Sequence, residues 1–424
     1  MRRLWLAWLA AGITGALAAS AAAAADSTPA SGAGAQPGTP PLRAITVFVE
    51  LDATRYEEQF NQAAAGLRAA QTVFEQGGFS VQTLRITTQP FMQYVGGLGH
   101  ERAVALLDRL EELGRARHIL VNIGPAVLDD HPDPRALEIL ASVQGRGRQL
   151  DASMIIAAAD GIHWNTVRAA AHHVWQVAAE SPRSQGTFHF AATAMLGEGA
   201  PFFPGSWHVG RGGRFSVGLQ SASVVQQVFS RTHGDAPRAI SELAAVLGSY
   251  AQRLEQLARA VEAHTGWSYW GFDSTPAPLK DDSIGAALEA FAPAALGSPG
   301  SLTAAYVITE AERQLPGARV GYAGLMLPVL EDARLAQRWS EGIIGIDSLL
   351  AFSAVCGTGL DTVPLPGGAT EAQLARIIGD VAVLAYKWRK PLTARLQPVH
   401  GRTPGEMSTF DDPFLVNAKL QPLH

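Results

Sequence analysis

The sequence predicts an α/β protein built as a closed barrel of about ten strands surrounded by helices. Three observations predict it. Strand-like, β-branched runs alternate with helical patterns along nearly the whole chain. Runs such as HILVNI (118–123) and MIIAAA (154–159) are apolar on both faces, as strands covered on both sides are. Several runs end on a polar residue, namely Asp52, Asn122, Asp160 and Asp273, and in closed α/β barrels the C-terminal strand ends converge on the active face. An open doubly wound sheet is the alternative architecture.

At the N-terminus, Arg2 and Arg3 precede an apolar stretch from Leu4 to about Ala19 and small residues before Asp26. This pattern predicts a secretory signal peptide over 1–25 and a secreted or periplasmic product, with no membrane contact after cleavage. An uncleaved anchor is the alternative. Residues 26–42 are mostly Ser, Gly, Pro, Ala and Thr, which bury too little apolar surface to offset ordering entropy, so they read as a disordered linker. Residues 43–424 then read as a single domain.

The first strand is AITVFVELD (44–52), followed by a helix over 54–76 with Phe60, Leu67, Ala70 and Phe74 on one face. VQTLRI, HILVNIG, SMIIAAAD, FHFAATAM, RFSVGL, YWGFD, VGYAGLM and LTARLQPV are further strand candidates, and GLDTVPL is a weaker one. Helical patterns intervene at about 97–114, 132–143, 162–180, 236–264, 281–292, 302–314, 330–340 and 370–388. The longest carries Leu243, Val246, Leu247, Tyr250, Leu254, Leu257 and Val261 as a stripe.

The chain has 424 residues, 47% of them hydrophobic, which is ample for a large core. Its formal charge is -5 and its basic residues are scattered, which argues against nucleic acid or an anionic membrane as a partner. A single cysteine excludes a cysteine-type zinc site. No pattern identifies a cofactor, and metal binding is undetermined.

That cysteine, Cys356, follows Ile346–Val355, a stretch apolar almost all round that predicts a buried helix. A helix C-terminus disfavours a thiolate, so Cys356 reads as a buried, inert thiol. Asp361 and Thr362 lie between a glycine turn and the stiff VPLP exit, and look positioned rather than incidental. Asp273 follows three aromatics; desolvation there suits a general acid or base, while a carboxylate satisfied by its own turn is the plainer alternative. His208 closes the proline-stiffened PFFPGSWH and is a candidate acid-base group or ligand, or simply packed. His172 and His173 read as structural. Ser301 can cap a helix after GSPG, where free amides suit an anion. Glu331 and Asp332 fall in a first helical turn, with one of them expected to face the site.

The strings GYAGLMLPVLED, IDSLLAFSAVCGTGLDTVPLPG and KPLTARLQPVHG, with PFFPGSWH and GFDSTPAP upstream, closely resemble uncharacterised protein family 0210, also called domain of unknown function 711. The resemblance implies a ten-stranded α/β barrel like that of pyruvate formate-lyase and related glycyl-radical enzymes, and a homodimer. It implies no established activity. The chain departs from glycyl-radical enzymes in lacking their Arg-Val-x-Gly-aromatic segment near the C-terminus; RVGY (319–322) lacks the spacer and lies far from the end.

Two functions follow as expectations. One is an exported enzyme doing acid-base chemistry on a small polar or anionic metabolite in the barrel mouth. Asp273, Asp361 and His208 would be catalytic, and Ser301, Thr362 and Glu331 would bind the ligand. The other is an extracytoplasmic small-molecule binding protein using the same pocket without turnover. Asp273, Asp361, His208 and Ser301 are expected to line one pocket.

Overall fold

The computed structural model describes residues 38–423. The expected signal peptide over 1–25 lies outside the described residues, as does most of the expected linker. Its last residues are ordered rather than loose. Leu42 is fully buried, its amide donates to the Ser80 carbonyl, and it begins the first strand. One large apolar side chain reaching the core outweighs the polar composition before it.

Ten strands form one sheet. They are β1 (Leu42–Val49), β2 (Leu84–Thr88), β3 (Ile119–Val127), β4 (Leu150–Ala158), β5 (Gly161–Ile162), β6 (Phe190–Ala194), β7 (Arg214–Leu219), β8 (Ser268–Asp273), β9 (Gly359–Pro366) and β10 (Leu392–Val399). Their order is β8-β7-β1-β2-β3-β4-β6-β10-β9, with the two-residue β5 paired to β4. The central strands β1, β2, β3, β4 and β6 run parallel. The outer pairs β7/β8 and β9/β10 are each internally parallel, but they run against the centre. The largely parallel sheet expected from strand-helix alternation is therefore a parallel centre with two reversed flanks.

Among the described residues, hydrogen bonding does not close this sheet; β8 and β9 remain its edges. The fold is α/β, a ten-stranded sheet with surrounding helices. VGYAGLM, expected as a strand, is not one. Gly321 (φ 75°) and Ala323 (φ 45°) lie in left-handed backbone that no strand accommodates. This connection instead makes one parallel bridge to each edge, Arg319 to Phe272 and Pro328 to Asp361.

Helices pack along the sheet by amphipathic faces. The helix Ala236–Thr265 starts at Asp235, whose side chain accepts from the Arg238 amide, and ends at left-handed Gly266. It buries Leu243, Leu247, Leu254 and Val261, with Val246, Tyr250 and Leu257 half-buried at the edges of the stripe. Ile346–Val355 is a helix but not buried all round. Leu349 and Phe352 face the core while Val355 is exposed, because neighbours cover only one side.

The β6–β7 connection carries PFFPGSWH onto the sheet face that presents Thr46, Thr87 and Asn122. Thr46 Oγ1 donates to the Pro201 carbonyl (2.8 Å), Asn122 Nδ2 donates to the Pro204 carbonyl (2.7 Å), and the Thr87 and Ser206 hydroxyls lie 2.9 Å apart. A buried loop needs such partners for its backbone. Phe202 joins Leu196, Ala277, Tyr322 and Met326 in a second apolar cluster. Between this cluster and the starts of the central strands lies a cavity.

Candidate functional site

The cavity has a volume of about 490 Å³. Arg43, Arg85 and Asp151 enter it as the second residues of β1, β2 and β4, so it lies at the N-terminal ends of the central strands. The expected C-terminal strand ends do not border it. Asn122 Nδ2 holds the β6–β7 loop, Asp160 pairs with His163 and Asp52 is bound to Thr54, each spent on a local structural bond.

Irregular register shapes two sides of the site. The β1–β7 ladder shifts between Leu42 and Ala44, next to Arg43. In the β9–β10 ladder Ala394 opposes Leu360 while Leu396 opposes Val363, so Arg395 faces the two residues Asp361 and Thr362. Thr362 takes a φ of 44° there. Such bulges redirect side chains, and both accompany charged groups here.

Glu331 links two guanidinium groups. Arg43 Nη2 donates to Oε2 at 2.7 Å and Arg395 Nη1 to Oε1 at 2.9 Å. Arg395 Nη1 also lies 3.1 Å from Asp361 Oδ1, and its Nε and Nη2 donate to the Phe188 carbonyl. All four side chains are at least nine-tenths buried. Burial pushes the Asp361 carboxyl up to about 6, against the pull of Arg395. Burial also lowers Arg43.

Arg85 differs from these. Its Nε donates to Thr83 Oγ1 (3.0 Å) and its Nη1 to the Pro201 carbonyl (3.3 Å), and the group stacks over Phe203. Among the described residues it has no carboxylate within ion-pair distance. Burial, then the neighbouring charge of Arg43, pushes it down to about 9. On the far side, Asp151 Oδ1 lies 3.5 Å from His189 Nδ1, and neither His189 nitrogen makes a well-formed hydrogen bond.

Of the residues the sequence singled out, Asp361 and Glu331 border this cavity; Asp273, His208, Ser301 and Thr362 do not. The single pocket expected for Asp273, Asp361, His208 and Ser301 does not form. Asp273 is fully buried and spent on the chain: it accepts from the Thr275 amide and hydroxyl, the Tyr322 amide and the Ala323 amide. Burial raises it, and these bonds oppose the rise. His208 is packed beside Phe48 and Trp270, where burial, then Arg214, pushes it down to about 4. Ser301 does not cap its helix; Gly300 does, and the Ser301 hydroxyl accepts from the Gly297 amide within the turn. Thr362 Oγ1 accepts from the Leu330 amide, tying the bulge to the preceding connection.

Arg43, Arg85, Arg395, Asp151 and His189 also line the cavity, and the sequence marks them only weakly. Their signal is a single charge or imidazole within or beside an apolar strand, as in LRAITVFV, LRITT and LTARLQPV. A buried charge of this kind needs a reason, since desolvation is costly.

Fold and cavity define an α/β protein with a buried, charge-lined chamber. The chain belongs to the family described as Uncharacterised ACR (DUF711), whose model matches residues 39–411. It is 30% identical over 393 residues to a UPF0210 protein of Pyrobaculum aerophilum, covering 86% of each chain. It is 31% identical over 360 residues to one of Pyrobaculum arsenaticum, covering 80% of this chain and 78% of that one. A UPF0210 protein of Lactiplantibacillus plantarum is 23% identical over 373 residues, covering 85% and 83%. The solved structure of the anaerobic ribonucleotide reductase from Thermotoga maritima, in complex with dATP and CTP, aligns over 84% of this chain and 75% of that one, at 10% identity and a TM-score of 0.40. That likeness is too distant to carry an argument.

These matches correct the functional expectation. An exported acid-base enzyme, with an extracytoplasmic binding protein as its alternative, gives way to membership of a family of UPF0210 proteins of archaea and bacteria. The geometry removes its chemistry as well, because Asp273 and His208 stand away from the cavity.

Proposed function

We propose that the cavity binds a small organic molecule through an anionic group, a carboxylate or its equivalent, held by Arg85. One observation carries this reading: Arg85 is a buried guanidinium that faces the cavity without a carboxylate partner, while Arg43 and Arg395 have theirs. An unpaired buried charge is costly, and a planar guanidinium is suited to bidentate carboxylate or phosphate recognition. Phe188, Phe202, Phe203 and Phe414 supply apolar walls, and the volume lies in the range of small-molecule sites.

In this reading the connection 318–330 acts as the stave that completes a barrel around the cavity, because it bridges both sheet edges. Residues 43–424 are taken as one domain. The homodimer implied by the family resemblance belongs to the same proposal and is read by light scattering.

The test is calorimetric titration of the full chain with small mono- and dicarboxylates and phosphate esters, compared with Arg85→Met. The expected result is saturable binding that weakens about 100-fold or more in the variant, as loss of a charge-assisted pair in a buried site does. Equal binding to both proteins would sink the reading.

A further inference from the structure

Resting on that reading of Arg85, we infer that the ligand is a zwitterion, carrying a carboxylate and an ammonium on one small apolar body, as a free amino acid does. The inference comes from the charges around the cavity. Three buried guanidinium groups, Arg43, Arg85 and Arg395, meet four buried carboxylates, Glu111, Asp151, Glu331 and Asp361, and Glu111 has Arg148 as its partner. Glu331 and Asp361 are taken up by Arg43 and Arg395. Arg85 and Asp151 are left over, each about nine-tenths buried or more, and they do not pair with each other.

The sheet holds these two apart. Arg85 stands on β2 and Asp151 on β4, with β3 between them. Arg85 is level with Leu120 and Asp151 with Asn122, and Leu120 and Asn122 point to one face, so all four share it. Two strand spacings across and two residues along place their backbones about 12 Å apart. An anionic and a cationic demand therefore face one chamber across a gap that neither side chain closes.

Asp151 makes no side-chain hydrogen bond among the described residues beyond its 3.5 Å approach to His189. His189 is itself nine-tenths buried with both nitrogens unengaged, so a donor entering between Asp151 and His189 meets two unsatisfied groups. Of the other acids at the cavity, Glu111 lies 3.5 Å from Arg148, and the half-buried Asp412 accepts from the Phe414 amide in its own turn.

Electroneutrality then selects the ligand class. A bare carboxylate would satisfy Arg85 and leave Asp151 buried and unpaired. A bare amine would do the reverse. A zwitterion satisfies both, which matters because isolated buried charges are the most expensive groups in a folded chain. Its body would lie against Phe188 and Phe203.

The test is calorimetric titration of the full chain with matched pairs, L-phenylalanine against 3-phenylpropionate and L-leucine against 4-methylpentanoate. Each pair differs by the ammonium group. At least one amino acid is expected to bind about tenfold or more tighter than its partner, the scale of one charge-assisted bond in a buried site. Asp151→Asn is expected to abolish that preference while leaving the carboxylate's affinity within a few-fold. If the carboxylates bind as tightly as the amino acids, the zwitterion is wrong and the anion reading stands. If neither member of either pair binds at millimolar concentration, the zwitterion is wrong, and the anion reading is decided by the dicarboxylate and phosphate-ester titrations. The wild-type comparison decides the matter even if the variant does not fold.

Discussion

Arg43 and Arg395 come from the two ends of the described chain and donate to the same carboxylate, that of Glu331, at 2.7 and 2.9 Å. The contact joins the first strand to the last across the cavity. Glu331→Gln would leave two buried guanidinium groups with only Asp361 as counter-charge. Breaking a buried ion network from one side costs about 3–5 kcal/mol. Urea denaturation should show a loss of that order, and a change below about 1 kcal/mol would mean that solvent reaches the site and screens it.

Glu312 gives the clearest pH dependence. It is fully buried, and beyond a marginal contact with the Ser274 hydroxyl its oxygens have no partner among the described residues. Burial first, and then the Asp273 charge, pushes it up from 4.5 to about 8. The folded state therefore holds this proton more tightly than the unfolded state. The stability it contributes is whole below about pH 4.5 and is lost as pH rises through about 8. Glu312→Gln removes the titration with little change of shape. Its melting temperature should gain on the wild type between pH 6 and pH 9; parallel curves over that interval would refute the assignment.

Gly321 tests how the connection 318–330 is held. Its φ is 75°, and a Cβ there would fall on the Asp273 carboxylate. Gly321→Ala should cost about 3 kcal/mol through strain and the loss of bonds to the Tyr322 and Ala323 amides. Gly97, where an added Cβ meets nothing within 4 Å, is the control, and its alanine variant should be neutral or slightly stabilising. Similar costs at the two positions would show that the Asp273 clamp contributes nothing special.

Cys356 should resist thiol reagents in the native protein. It is fully buried, the Leu325 amide donates to its Sγ at 3.1 Å, and burial followed by the Glu312 charge pushes the thiol up to about 11. Labelling is expected to be negligible over minutes near neutral pH and to reach one equivalent after denaturation. Fast native labelling would mean that the 325–356 contact opens.

The class of the fold and most of its pieces were legible in the amino-acid order alone. Strand runs and helical stripes are local in period, so β4, β10 or Ala236–Thr265 could be read from a dozen residues or so. Local too was the burial of Cys356, read from its place after an apolar helix. The tertiary structure decided strand direction, because no local pattern tells β7 that it will run against β1. It also decided the site. In sequence Asp273 after its aromatics and Asp361 after its glycine turn are equally good candidates, yet four hydrogen bonds engage the first while a bulge aims the second at Arg395. Arg85 and Asp151 read as lone charges in buried strands, and only the lateral stacking of β2, β3 and β4 sets them across one cavity. Register between strands distant in the chain is the reason: it is a property of the assembled sheet, and it alone chooses which buried charges meet.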